Sequence, residues 1–162
     1  MKSDGIMNNA ARFLNSKLVE ELRDQGHYLT GSLERSINGS YRVINGRRQT
    51  EATGYALDYA IKINDPQHEL KNLPTVGELV KYFLLRGLPI MEAKRAAFNT
   101  RKKHEKEGMP TKASSRFSKT GVRTQFIDIA WKTSEQKVDS MIEAGMDRIF
   151  DDEFKKQKTE RI

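Results

Sequence analysis

The sequence predicts an α+β fold: a long N-terminal helix packed on a small antiparallel sheet, with an inserted helix pair and a C-terminal helix. Three observations carry this expectation. Apolar residues recur at three- and four-residue steps from Met7 to Leu22, every second position is apolar from Tyr55 to Ile63, and helical stripes return beyond Thr75. The chain is 162 residues long, one domain's worth, and folding at that length buries roughly 70% of the surface the unfolded chain exposes.

Met7, Ala10, Ala11, Leu14, Leu18 and Leu22 fall on one face of a helix expected over 7–25, and Gly26 is its natural stop. From His27 to Ile37 the chain turns and the period changes from 3.6 to 2. The sheet is expected over about 38–64. Tyr41 and Val43 alternate with polar neighbours, and Asn45-Gly46 suits a tight hairpin turn. Beyond it Tyr55, Leu57, Tyr59, Ile61 and Ile63 form the clearest strand pattern in the chain, ended by Asp65-Pro66.

The helix pair is expected over about 75–107. Thr75-x-x-Glu78 is a capping box ahead of an apolar run, Gly87 closes the first helix, and Pro89 sits where the start of the next tolerates it. Residues 108–123, rich in Ser, Thr, Lys and Arg, read as a basic loop or arm that orders against something else. Phe126, Ile127, Ile129 and Trp131 fit a short strand or a helical turn, and periodicity does not separate the two. The last helix is expected over about 134–156, capped by Thr133-x-x-Gln136, with a stripe of Val138, Met141, Ile142, Gly145 and Ile149 and a fraying tail from Lys155 to Arg161. Nothing marks a second domain.

Composition bounds the function. The chain has no cysteine, which excludes disulfides, thiol nucleophiles and cysteine zinc sites. Its apolar runs are far shorter than the roughly 20 residues of a membrane span, and Met1–Asn9 has no apolar signal core, so a soluble, non-secreted protein is expected. Between Lys94 and Arg123 stand ten basic residues against two acidic ones. They are Lys94, Arg95, Arg101, Lys102, Lys103, Lys106, Lys112, Arg116, Lys119 and Arg123, and they hold essentially all of the net charge of +7. Such a segment attracts phosphate backbones or acidic protein surfaces. On a helix, Lys94, Arg101 and Lys102 come together, with Arg95 and Lys106 flanking, as a ridge that contacts phosphate without reading sequence. A solvated helix face and loop account for the same cluster.

Catalytic chemistry is not expected. His27, His68 and His104 lie in a turn, a loop and a charged helix, without partners at diagnostic spacing, and no phosphate-binding loop, nucleophile elbow or zinc-protease motif occurs. Asp151, Asp152 and Glu153 are adjacent and fan out around a helix instead of converging on a metal ion. No cofactor and no metal is expected.

The stretch Thr30-Gly31-Ser32-Leu33-Glu34-Arg35-Ser36-Ile37 follows a long helix and precedes a hairpin. This order resembles the tail-completion and head–tail connector proteins of tailed bacteriophages, whose first helix ends in a pattern like TG-x-L-x-x-SI, matched by Thr30, Gly31, Leu33, Ser36 and Ile37. Tyr59-Ala60 matches a pair that ends a later strand in that family, and Met109-Pro110, Arg116, Phe117, Arg123 and Phe126 match loosely a segment before its last helix. Ile63-Asn64-Asp65-Pro66 departs from the Glu-Gly-Thr that commonly follows the tyrosine strand. The resemblance implies a virion protein made in the host cytoplasm, a ring subunit that joins the DNA-filled head to the tail. Its implied partners are further copies of itself, portal or adaptor and tail proteins, and DNA held without sequence preference by the basic segment. The alternative is a stand-alone, non-specific nucleic-acid-binding protein that uses residues 94–123.

Overall fold

A computed structural model describes residues 3–38, 41–46, 49–65 and 73–160. The fold is α+β and mostly helical. Its elements run α1 (Ser3–Asp24), α2 (Ser32–Asn38), β1 (Tyr41–Asn45), β2 (Thr50–Gly54), α3 (Tyr59–Asn64), α4 (Val76–Leu85), α5 (Ile90–Glu107), a 3₁₀ turn (Lys112–Phe117) and α6 (Phe126–Glu160). The chain divides into two compact units.

The first unit comprises Met1–Glu21, Ser32–Leu57 and Ile127–Ile162. The stripe of α1 centres on Ile6, Ala10, Asn15 and Val19, which are buried, while Met7, Ala11, Leu14 and Leu18 flank it half-buried. Asn15 is polar within this stripe because its side-chain amide donates to the Ile37 carbonyl at 2.8 Å. That carbonyl belongs to the last turn of α2, where four carbonyls lack intrahelical partners. The hairpin pairs antiparallel from Tyr41↔Gly54 to Asn45↔Thr50. Its far end is held to α1 by Asn45 donating to Asp4 and by Thr50 bonding Ser3 at 3.2 Å. Gly145 of α6 packs so closely that a Cβ there would lie 2.7 Å from the side chain of Ile6.

The second unit comprises Leu22–Gly31 and Asp58–Phe126. α1 ends here in a Schellman motif: Gly26 N–H donates to the Arg23 carbonyl at 2.9 Å and His27 N–H to the Leu22 carbonyl at 3.0 Å. Gly26 has φ +71, a left-handed conformation that favours glycine. A Cβ at Gly26 would also collide with the carbonyl oxygen of Phe117. α4 and α5 form the expected helix pair. Thr75 Oγ1 accepts from Glu78 N–H at 3.3 Å while the Glu78 carboxylate accepts from Thr75 N–H at 2.7 Å, so the capping box is complete. Gly87 closes α4 by donating to Leu84 at 2.9 Å, and Leu88 donates to Phe83 at 3.1 Å. Ala93, Ala97 and His104 form the buried face of α5.

Several expectations are corrected. The sheet ends at Gly54, so it spans 41–54 and not 38–64. Residues Tyr59–Asn64 are helical, and the Tyr59-Ala60 pair opens α3 instead of ending a strand. Backbone donors there are met within the helix, as Asp65 N–H is by the Ile61 carbonyl at 2.8 Å, and no neighbouring strand is needed. The alternation misleads because Tyr55, Leu57, Tyr59 and Ile61 are exposed, while the small Ala60 is buried. Asn45 belongs to β1 and pairs with Thr50, and Gly46 N–H donates to the Gln49 carbonyl at 2.8 Å, so the pairing continues past Asn45-Gly46 and the chain does not turn there. The last helix starts at Phe126 and not near 134, which resolves Phe126–Trp131 as helix. Thr133 therefore lies inside α6, its hydroxyl turned back to the Ile129 carbonyl at 2.8 Å, and is no cap. The helix persists through the Lys155 region to Glu160. α1 begins four residues before the expected start, at Ser3.

Candidate functional site

The turn between α1 and α2 carries the residues of the family resemblance. Gly31 has φ +69, which frees the chain to reverse before α2. Leu33 and Ile37 are buried on one face of α2. Ser36 donates to the Leu33 carbonyl at 2.7 Å and accepts from Leu57 N–H at 3.2 Å. Thr30 lies exposed ahead of the helix. These are structural roles: the motif bends the chain and anchors the segment that leaves the hairpin.

The basic segment lies within the second unit, and its members stand in different surroundings. Three of its members are committed to the unit's own backbone or ion pairs. Arg101 donates to the carbonyls of Leu73 and Pro74 at 2.9 and 2.8 Å and pairs with Glu105 at 2.8 Å. Arg123 donates to the carbonyls of Gln25 and Gly26 at 3.0 and 3.4 Å, so it neutralises the carbonyl-rich end of α1. Lys119 pairs with Asp24, and its N–H donates to the Asp24 carbonyl at 2.8 Å. Residues 108–123 are therefore no free arm; they order against the end of α1.

The ridge expected from Lys94, Arg101 and Lys102 loses Arg101 to those carbonyls. The exposed face of α5 keeps Lys94, Arg95, Lys102 and Lys106 around the exposed ring of Phe98, with Lys102 Nζ 4.7 Å from the ring centroid. Lys112 is exposed at the start of the 3₁₀ turn.

Lys103 and Arg116 lie elsewhere, in the wall of a pocket of about 700 Å³ that is built entirely from the second unit. Arg86 and Arg123 line it too, together with His27 and His104. The guanidinium of Arg86 stacks over the rings of Tyr82 and Phe117 at 5.3 and 5.8 Å, and that of Arg116 over Phe117 at 4.8 Å. His27 donates Nε2–H to the Arg123 carbonyl at 3.0 Å, and burial pushes its imidazole down to about 4 despite that bond, with the Arg123 charge adding to the effect. Burial, helped by the charge of Arg101, also lowers His104. Burial lowers the Arg123 guanidinium as well, with Tyr82 acting against it and Arg86 with it. Both imidazoles are thus neutral near pH 7. His68 lies outside the described residues.

Sequence reasoning did not bring Arg86 or Tyr82 to this pocket, since both stand before the basic segment. It also missed the tail of α6. There Met146, Phe150 and Phe154 stand at four-residue steps, Phe150 58% and Phe154 71% exposed, on a helix whose residues from Met146 to Thr159 are exposed apart from half-buried Ile149. Another exposed apolar group, Leu84, Leu85, Ile90 and Met91, surrounds the α4–α5 turn, with Leu85 65% and Met91 73% exposed. Periodicity at Phe150 and Phe154 was the signal available for the first of these.

Among the described residues no group of acidic or histidine side chains is placed to hold a metal ion, and no helix is long and apolar enough to cross a membrane. No family model, no curated protein and no solved structure matches the chain.

Proposed function

We propose that this chain is a structural virion protein, a subunit of a homo-oligomeric ring in the neck or tail-completion complex that joins a phage head to its tail. The observation that carries the assembly part is the α6 tail: roughly four helical turns with Met146, Phe150 and Phe154 aligned and uncovered. Apolar stripes on exposed helices mark partner surfaces. A ring requires two different surfaces on each subunit, one for each neighbour. The α6 tail in the first unit and the Leu84–Met91 turn in the second are two such surfaces. The phage setting rests on the resemblance of the Thr30–Ile37 turn. Electron micrographs of the purified protein test the reading directly: closed rings of uniform size are expected, and a uniform field of monomer-sized particles at high concentration contradicts it.

A second reading is favoured by the exposed face of α5, where Lys94, Arg95, Lys102 and Lys106 flank Phe98. Cations interleaved with an aromatic ring suit a single strand bound through its phosphates and one base. On this reading the isolated monomer binds single-stranded DNA, and replacing these four cations by Gln flattens the salt dependence of binding.

A further inference from the structure

The pocket of the second unit has a charge composition that its own architecture does not explain. Among its described lining residues are four cations, Arg86, Lys103, Arg116 and Arg123, and one carboxylate, Glu78. Glu78 is occupied by the capping box, accepting from the Thr75 N–H and hydroxyl at 2.7 and 2.9 Å. Arg123 is occupied by the carbonyls at the end of α1. Arg86, Arg116 and Lys103 make no ion pair or side-chain hydrogen bond among the described residues, yet two of them converge on one ring, with both guanidiniums within 6 Å of the Phe117 centroid. Like charges gathered in a concavity repel one another unless an anion joins them.

A further feature points the same way. His104 is only 9% exposed, and its Nδ1 is buried without a hydrogen-bond partner among the described residues. Buried polar atoms are ordinarily satisfied, so this one is an exception in a residue that lines the pocket. Leu79, Phe83 and Tyr82 supply an apolar wall beside the cations. The volume falls within the roughly 300–1,000 Å³ of small-molecule sites.

We propose that this pocket binds a phosphate monoester carried on a flat aromatic body, such as a nucleoside monophosphate, with Arg86, Arg116 and Lys103 around the phosphate. Three cations exceed what one carboxylate neutralises, whereas a phosphate monoester brings close to two negative charges and three acceptor oxygens that match planar guanidinium donors. The guanidiniums of Arg86 and Arg116 already lie over aromatic rings, which reduces the side-chain freedom lost on binding. The same chemistry is offered by a free mononucleotide and by the 5′-phosphorylated end of a DNA strand.

The experiment is calorimetric titration of the full chain with AMP, adenosine, inorganic phosphate, and a short single strand of DNA with and without its 5′-phosphate. Saturable binding of AMP or of the phosphorylated strand is expected, weaker by roughly tenfold or more for adenosine or the unphosphorylated strand, which lose charge-assisted bonds, and for inorganic phosphate, which loses burial of the aromatic body. Arg86→Met with Arg116→Met is expected to weaken the binding by a similar factor at least, with an unchanged melting temperature, because both side chains are exposed. Preference for the phosphorylated strand over AMP assigns the strand end as the ligand, and the reverse assigns the free nucleotide. Absence of saturable binding by every phosphate monoester, or binding unaltered in the double variant, overturns the proposal.

Discussion

Residues 108–123 and the tail of α6 make an instructive pair. In the sequence the basic stretch is loose, with little apolar content and no regular period, while the α6 tail reads as the end of an ordinary helix. In the structure the basic stretch is tied to the end of α1 by Arg123, Lys119 and the close approach of Phe117 to Gly26. The α6 tail is regular, yet Met146, Phe150 and Phe154 are left uncovered. Regular secondary structure does not tell which stretch is complete within the chain. That is told by where polar groups find partners and where apolar groups find cover.

The sharpest way to break the contrast is Gly26→Ala. The substitution meets both a left-handed backbone and the Phe117 carbonyl, and it is expected to lower stability by about 3–5 kcal/mol in thermal or denaturant unfolding. A loss below about 1 kcal/mol would show that residues 108–123 do not depend on that contact.

Next in size comes Arg123→Met, which leaves the Gln25 and Gly26 carbonyls without their donor. A loss of about 2–3 kcal/mol is expected in the same measurement, because hydrogen bonds to a charged, half-buried donor are at the strong end of the scale. Arg123→Lys recovers only part of it, since an ammonium does not reproduce the planar fork.

A pH effect arises from His27, whose imidazole is held at about 4 in the folded chain against an ordinary 6.5. The unfolded chain therefore binds the extra proton between those values. This contribution to stability is complete above pH 6.5 and is lost as pH falls towards 4, by on the order of 2–3 kcal/mol. His27→Gln keeps a donor for the Arg123 carbonyl and removes the titration, so its stability is expected to vary less between pH 6.5 and 4.

The smallest expected effect on folding belongs to the α6 tail. Phe150→Ser with Phe154→Ser alters two exposed side chains and is expected to shift monomer stability by no more than about 0.5 kcal/mol.

Sequence patterns captured the features that depend on near neighbours. The Thr75 capping box and the stops at Gly26 and Gly87 are decided within a few residues, and all are found in place. The strand expected over Tyr55–Ile63 failed because a strand depends on a partner, and period alone does not supply one. The roles of Arg101 and Arg123 were hidden because their acceptors, Leu73 and Gln25, lie 28 and 98 residues away. Grouping charges by position along the chain merged cations fixed to carbonyls with cations facing the pocket or solvent. The pocket itself joins Arg86 to Arg116 across two elements, and no local spacing announces that. The apolar period of α6 was visible as far as Ile149, but period does not reveal that Phe150 and Phe154 stand on an uncovered face.

We propose that the α6 tail is completed by another copy of the chain. Sedimentation velocity of the wild-type protein and of the Phe150→Ser, Phe154→Ser double variant, at matched concentrations, tests it most directly. A discrete oligomer is expected for the wild type and a folded monomer for the variant. A wild-type chain that remains monomeric at high concentration, or a variant that assembles as well as the wild type, would contradict it.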